Sequence, residues 1–107
     1  MAEKTRLRVP TEAKKGEIIQ IKTLTSHPME TGLRKDDNGK IIPRDIINTF
    51  TCTFNGKPLF RADLEMAISA NPYIEFTARM EESGTFTFTW TDDNGTVTTA
   101  ESSITVS

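Results

Sequence analysis

Residues 84–91 read Gly-Thr-Phe-Thr-Phe-Thr-Trp-Thr, a strict alternation of aromatic and hydroxyl side chains. Because successive side chains of a strand point to opposite faces, this stretch predicts a β-strand with Phe86, Phe88 and Trp90 on one face. Asp92-Asp93-Asn94-Gly95 follows directly. Asn-Gly accepts positive φ at low cost, so the chain is expected to turn back here as a hairpin.

The same alternation recurs on both sides of this stretch. Asp45–Asn55 carries threonines on one side and four apolar residues on the other: Ile46, Phe50, Cys52 and Phe54. This pattern again predicts a strand. The full set of predicted strands is Arg6–Val9, Glu17–Ser26, Asp45–Asn55, Leu59–Asp63, Tyr73–Met80, Gly84–Thr91 and Thr96–Val106. Two connections are predicted between them, a turn at Asn55–Pro58 and an irregular crossover with at most a helical turn at Ala62–Ala70.

About seven short strands with turns between them predict an all-β fold, an immunoglobulin-like antiparallel β-sandwich. At 107 residues and 12.0 kDa, residues 1–107 are expected to form a single domain. A Cys…Trp…Cys pattern is absent from the sequence, so this is not an antibody-type domain. The predicted core is Ile19, Ile21, Phe50, Phe54, Phe76, Phe86, Phe88 and Trp90.

Charge and composition exclude several classes of function. Thirteen Lys and Arg against fifteen Asp and Glu give a net charge of −2, which argues against a nucleic-acid binder. The sequence contains no apolar run near the roughly 20 residues that span a bilayer, so no membrane segment is expected. The charged start Met1–Arg8 has no apolar segment of a secretory signal. A single cysteine excludes an intramolecular disulfide and a multi-cysteine metal site.

The candidate metal ligands are few. His27, the one histidine, lies two residues before Met29, and an imidazole with a thioether would suit a soft metal such as copper. Two ligands are fewer than such sites use, so we predict no metal and no cofactor. Asp36, Asp37 and Asn38 precede Gly39 but lack the calcium-loop register and its closing Glu. We therefore expect a solvated turn there.

The case for catalysis is thin as well. Cys52 lies on the apolar face of its strand, where desolvation disfavours the thiolate, so we interpret it as an inert core residue. The acidic pairs Glu81-Glu82 and Asp92-Asp93 fall at strand ends, which suits solvated turns better than an acid/base pair. The sequence thus predicts a binding protein and not an enzyme.

Two surfaces are candidates for a partner. Glu17–Ser26 carries apolar residues on both faces, and Ile41-Ile42-Pro43 adds more in a loop, which exceeds what one small core needs. The longest connection, Ser26–Arg44, is the second candidate. We predict that it contacts the partner through His27, Met29, Glu30 and Arg34. The alternative is that this loop packs on its own sandwich and that the interface lies along a sheet edge.

The chain resembles the SoxZ family along nearly its whole length. The resemblance rests on RLRVP at 6–10, SHPMETG at 26–32 with a following RKD…G…IPR, ISANPY at 68–73, and GTFTFTWTDDNG at 84–95. SHPMETG is the most specific of these motifs. The alternating strand is typical of many β domains and carries little weight alone.

The resemblance implies a small sandwich that forms a heterodimer with a SoxY-type subunit in thiosulfate oxidation. In that family SoxY holds sulfur intermediates on a cysteine of its C-terminal arm, and this chain ends Ser102–Ser107 without a Gly-Gly-Cys element. We therefore expect a non-catalytic partner, exported to the periplasm with a signal-bearing SoxY. The alternatives are a carrier-like subunit serving a different dehydrogenase system, or a small copper-binding protein using His27 and Met29.

Overall fold

The computed structural model describes residues 5–27, 29–64 and 71–107, and these form two β-sheets. The described part of the chain contains no helix, and so no helix long and apolar enough to cross a membrane. One sheet has three strands in the order β1-β3-β6, and the other has five in the order β2-β8-β7-β4-β5. The strands are β1 (Thr5–Arg8), β2 (Glu12–Ala13), β3 (Ile18–Thr25), β4 (Ile47–Phe54), β5 (Lys57–Asp63), β6 (Tyr73–Arg79), β7 (Gly84–Asp92) and β8 (Val97–Val106).

The predicted all-β sandwich is confirmed, and its core is aromatic. Phe50 on β4 contacts Trp90 on β7 with ring centroids 5.2 Å apart, and Phe76 of the other sheet at 6.2 Å. Phe60 on β5 stacks on Phe76 with centroids 4.3 Å apart. These rings join the two sheets, because β5 belongs to the five-stranded sheet and β6 to the three-stranded one.

Seven of the eight predicted core residues are buried, and Phe54 is the exception, since it lies partly exposed at the margin of the core. Ile46 is buried as predicted, but strict alternation does not account for the burial of its neighbour Ile47. Ile46 and Ile47 are consecutive yet each only 1% exposed, because the pairing of β4 with β7 shifts register between Ile47 and Thr49. A bulge of this kind breaks the two-residue period.

The strand limits differ from prediction mainly at the turns. Phe54 and Lys57 are paired, so the turn is only Asn55-Gly56, with φ of 52° and 80°, and β5 begins two residues earlier than predicted. Positive φ at both central residues is the hairpin geometry that Asn-Gly favours. The predicted turn at 92–95 is confirmed, with Asp92 N–H donating to Thr96 O at 3.1 Å.

One short strand was not predicted, and one predicted crossover falls largely outside the described residues. Sequence analysis missed β2, whose two residues pair parallel with β8, so the sandwich is not wholly antiparallel. Two residues are too few to show a period. Of the crossover predicted at Ala62–Ala70, Ala62 and Asp63 close β5, and residues 65–70 lie outside the described residues.

The two faces of β3 have different environments. Ile19, Ile21 and the threonines that follow face the core and are buried. Ile18 on the opposite face is 60% exposed, and Leu24 on that face is only half-buried. The apolar residues on both faces of this strand are therefore covered on one side only by the described part of the chain.

Candidate functional site

The 26–44 connection folds back on itself as an ordered ribbon. Glu30 and Asp45 exchange both backbone hydrogen bonds, at 2.9 and 2.8 Å, and Lys35 pairs with Ile41 further out. At the tip, Asp36 Oδ1 accepts the backbone N–H groups of Asn38 and Lys40 at 2.9 and 3.0 Å. This side-chain capping makes a turn, as the sequence predicted.

His27 fastens the start of this ribbon to the sandwich. Its backbone N–H donates to Asn71 Oδ1 at 2.9 Å, and its carbonyl accepts from Asn71 N–H at 2.8 Å. Its imidazole is buried and contacts two further segments. Nδ1 accepts the backbone N–H of Met29 at 2.9 Å, while Nε2 lies 3.4 Å from Asp92 Oδ2. A neutral ring that accepts at Nδ1 carries its proton on Nε2, so Nε2–H faces the carboxylate.

His27, Asp45 and Asp92 form a cluster that sequence reasoning did not find. Each residue offers one atom that could ligate a metal ion, and these three atoms all lie within 4.8 Å of one another. An imidazole with two carboxylates can hold zinc or a similar divalent ion. A histidine that binds metal through Nε2 holds its proton on Nδ1 and donates it outward. Here Nδ1 instead accepts from Met29 N–H, so the contacts fit a hydrogen-bonded network better than a metal site.

The two carboxylates of this cluster also hold the turn after β7. Asp92 Oδ1 accepts the backbone N–H groups of Asn94 and Thr96, at 3.0 and 2.9 Å. The Asn94 side-chain amide donates to Asp45 Oδ2 at 2.9 Å. The cluster therefore ties both ends of the ribbon to one hairpin. That the functional protein binds no metal ion stays a prediction.

Met29 lies inside the domain. Its side chain is 4% exposed and its sulfur is 3.2 Å from the backbone N of Ile47. Its φ of 52° is left-handed, a conformation that costs an ordinary residue about 1–2 kcal/mol. Burial of the His27 and Met29 side chains favours the alternative that this part of the loop packs on its own sandwich.

Glu30 and Arg34, the other two predicted contact residues, lie nearer the surface. They form an ion pair in which Arg34 Nε also donates to Glu30 Oε2 at 3.3 Å. Hydrogen bonding by Arg34 lowers the pKa of Glu30, and the same contact raises the pKa of Arg34. The Arg34 side chain is 65% exposed. Its contact with a partner stays a prediction.

Asp93 anchors the end of the ribbon. It accepts from Arg44 Nε at 2.7 Å, from the Asn48 amide at 3.0 Å and from Ile46 N–H at 3.2 Å. Hydrogen bonds from Arg44 and then from Asn48 lower the pKa of this carboxyl. A Cβ on Gly32, where φ is +84°, would lie 3.2 Å from Arg44 Cβ, so the ribbon needs glycine at this crossing.

Cys52 is placed as the sequence predicted. It is 1% exposed on β4, where it pairs with Phe60 on one side and Phe88 on the other. Burial raises the pKa of its thiol to about 12. At neutral pH the thiolate, the reactive form, is therefore scarcely populated.

Comparisons with known proteins agree on the fold. A superoxide reductase (neelaredoxin) from Ignicoccus hospitalis superposes with a TM-score of 0.73 at 17% identity, covering 98% of this chain and 83% of that chain. The sulfur carrier protein SoxY from Chlorobium limicola f thiosulfatophilum gives 0.65 at 16% identity, covering 96% and 78%. At such identities these likenesses show the fold alone.

Comparison with curated proteins gives no match. A comparison with family models is decisive, because the model of the sulphur oxidation protein SoxZ matches residues 7–103. The match covers nearly the whole chain and includes the His27 ribbon, the β4–β5 hairpin and the alternating strand β7. The chain therefore belongs to the SoxZ family of sulphur oxidation proteins.

Proposed function

We propose that this chain is the non-catalytic subunit of a heterodimeric sulfur-carrier complex. It binds and stabilises a SoxY-type subunit whose C-terminal cysteine carries sulfur intermediates during thiosulfate oxidation. The observation that carries the proposal is the match of the SoxZ family over residues 7–103. In this role the chain supplies a rigid surface, and the chemistry takes place on its partner.

The environment of Cys52 supports the non-catalytic part of the proposal. A carrier thiol must reach the active sites of several enzymes and must react as the thiolate. Cys52 is buried between Phe60 and Phe88, and burial raises its pKa to about 12. Neither requirement is met at this position, so the sulfur is held elsewhere in the complex.

Stabilisation of the partner follows from mass action. A subunit that binds only the folded form of its partner lowers the unfolded fraction by an amount set by its concentration relative to Kd. At a free concentration 100 times Kd, the gain is about 2.7 kcal/mol. We therefore expect the SoxY-type subunit to melt at a higher temperature in the complex than alone.

The test is co-expression of the chain with the SoxY-type subunit. Size-exclusion chromatography with light scattering should show a 1:1 complex. After incubation with thiosulfate and the other enzymes of the pathway, intact-mass and peptide analysis should place the adduct on the C-terminal cysteine of the partner. An adduct on Cys52, or no complex at all, would contradict the proposal. A complex that forms but is loaded only by another sulfur compound would indicate a different dehydrogenase system.

We also propose that the complex works in the periplasm and that this chain is exported with its signal-bearing partner, as the SoxZ family resemblance implies. Cell fractionation tests this directly. The chain should be found in the periplasm when the partner carries its signal and in the cytoplasm when that signal is deleted. A periplasmic chain in cells without the partner would rule out co-export.

A further inference from the structure

The outer surface of the three-stranded sheet combines cations with exposed apolar groups. We call it the basic face. Its cations are Arg6, Arg8, Lys22 and Arg79, and the other side chains that share this surface include Leu24 and Tyr73. Strand pairing sets their arrangement, since Arg6 lies opposite Leu24 and Leu24 lies opposite Tyr73. In the next row, Arg8 lies opposite Lys22. Strand order therefore brings residues from distant parts of the chain onto one surface.

The charge of this face is opposite to that of the whole chain. Its four cations are accompanied by one carboxylate, Glu75, which gives the face +3 in a chain of net charge −2. Within residues 5–27, 29–64 and 71–107, none of the four cations forms an ion pair within 4.0 Å. Glu75 instead accepts a hydrogen bond from Tyr73 OH at 3.0 Å.

Lys22 lies between two charged neighbours, since Arg8 is opposite it on β1 and Glu75 is opposite it on β6. Like charges directly opposite each other on antiparallel strands destabilise a sheet. A carboxylate approaching from outside would relieve this repulsion and would find arginine donors suited to bidentate hydrogen bonds. The electrostatics of this face thus favour an acidic partner surface.

The apolar part of the face points to a protein partner. Tyr73 is 52% exposed and Ile18, beside Arg79 in the strand pairing, is 60% exposed. A groove of about 610 Å³ runs between Arg6, Lys22 and Tyr73. Tyr and Arg are the residue types enriched in the energetic centres of protein interfaces.

The opposite outer face of the sandwich has a different composition. There β4 and β7 present rows of threonines, with Thr51 paired to Thr89 and Thr53 paired to Thr87. These side chains are short, uncharged and partly buried. Beside them, Arg61 on β5 is neutralised by an ion pair with Asp63, and Val97 on β8 is 56% exposed. The five-stranded sheet thus has an exposed apolar group on its outer face but no excess of cations there, whereas the basic face combines both.

We propose that the basic face is the surface that docks the SoxY-type carrier subunit, which meets it with an acidic patch around an apolar centre. This inference rests on the proposed function, because the partner is the one named there. It places the interface on strands β1, β3 and β6 of the three-stranded sheet. Carboxylates of the partner pair with Arg6, Arg8 and Lys22, and Tyr73 packs at the centre.

The experiment reverses charge on β1. The double variant Arg6→Glu/Arg8→Glu changes both exposed arginines and leaves the core untouched. The new carboxylate at position 8 lies opposite Lys22, so the substitution removes a repulsive pair and the fold is retained. The matched control is Lys14→Glu/Lys57→Glu, an equal change of charge at two exposed lysines outside the basic face.

Affinity for the SoxY-type subunit is measured by titration calorimetry or surface plasmon resonance between 50 and 500 mM NaCl. The β1 variant should raise Kd roughly 100-fold or more at low salt, because like charges would then face each other. Its affinity should no longer fall as salt is added, because salt screens that repulsion. The control should stay within roughly threefold of the wild type. Tyr73→Ala should weaken binding at least tenfold at every salt concentration, because it removes apolar contact and not charge.

The outcomes separate the two proposals. If the wild type binds the SoxY-type subunit and the β1 variant binds equally well, the docking surface is wrong and the proposed function stands. If the wild type does not bind, the proposed function itself fails. Light scattering of the isolated chain tests whether the chain forms a homodimer. A wild-type homodimer that the β1 variant dissociates, with heterodimer affinity unchanged, would assign the face to a second copy of this chain and overturn the proposal.

Discussion

Replacing Met29 with alanine should lower the stability of the domain substantially. This substitution therefore tests how the His27 ribbon packs on the sandwich. The side chain is 4% exposed, and removing a buried methionine costs about 2–5 kcal/mol. The backbone N–H of Ile47 also loses the sulfur that lies 3.2 Å away. We take about 3 kcal/mol as the total, which lowers Tm by about 12 °C or more for a domain of this size.

The left-handed backbone at Met29 allows a second comparison, between the glycine and alanine variants at this position. Glycine normally destabilises relative to alanine by about 0.5–1 kcal/mol. At a φ of 52°, however, an L-residue has a strain of about 1–2 kcal/mol that glycine escapes. Met29→Gly should therefore be more stable than Met29→Ala by about 0.5–1 kcal/mol, a reversal of the usual order.

Chemical and thermal denaturation of the isolated chain, followed by circular dichroism, measure both differences. Leu33→Ala is the control, because Leu33 lies in the same ribbon and is 78% exposed; its effect should stay within about 0.5 kcal/mol. A Met29→Ala variant that melts within 2 °C of the wild type, a margin of roughly half a kcal/mol, would refute the burial argument and leave this side chain available to a partner. A glycine variant less stable than the alanine variant would refute the backbone argument.

Further predictions concern ionisation and metal. Burial raises the pKa of Cys52 to about 12, so folding favours the neutral thiol. This contribution to the free energy of unfolding is complete below the ordinary thiol pKa of about 8.5, and it is lost as pH rises towards 12. A native chain labelled fully by a thiol reagent within minutes at pH 8 would contradict this. Hydrogen bonding by Arg44 lowers the pKa of Asp93, so Asp93→Asn should destabilise the domain at pH 7 and lose that effect as pH falls below about 4; equal losses at pH 7 and pH 3 would oppose this assignment. Chelator should leave Tm unchanged, whereas one equivalent of metal retained by the wild type and lost in Asp45→Asn would show that the His27 cluster is a metal site after all.

The strands were predictable because most of them have one buried face. Phe86, Phe88 and Trp90 alternate with threonines, and a strand that buries one face shows a period of two in its sequence. Prediction failed where that period is broken or too short to see. The register shift beside Ile47 put two neighbouring residues in the core, and the two residues of β2 show no period at all.

The His27 cluster could not be predicted for a different reason. Asp45 and Asp92 are 18 and 65 residues away from His27 in the sequence, and only the folding of the ribbon onto the β7–β8 turn brings them together. Sequence reasoning paired His27 with Met29 because they are close in the chain. That contact exists, but it is made by the backbone N–H of Met29 and not by its sulfur. Local spacing identified the right segment and the wrong atoms.

The edges of the two sheets are protected unequally, and this bears on where a partner binds. An exposed strand edge invites pairing with another chain unless it is short, charged or interrupted by proline or a bulge. The five-stranded sheet ends in the two-residue β2 on one side. On the other side it ends in β5, which begins Lys57-Pro58 and pairs with β4 through a register shift. These features disfavour growth of that sheet by a second chain. The three-stranded sheet ends on one side in β1, which is only four residues long and carries Arg6 and Arg8. On the other side it ends in the seven-residue β6, which has no proline. Of the edges that the structure describes, β6 is therefore the least protected, and it belongs to the sheet that carries the basic face.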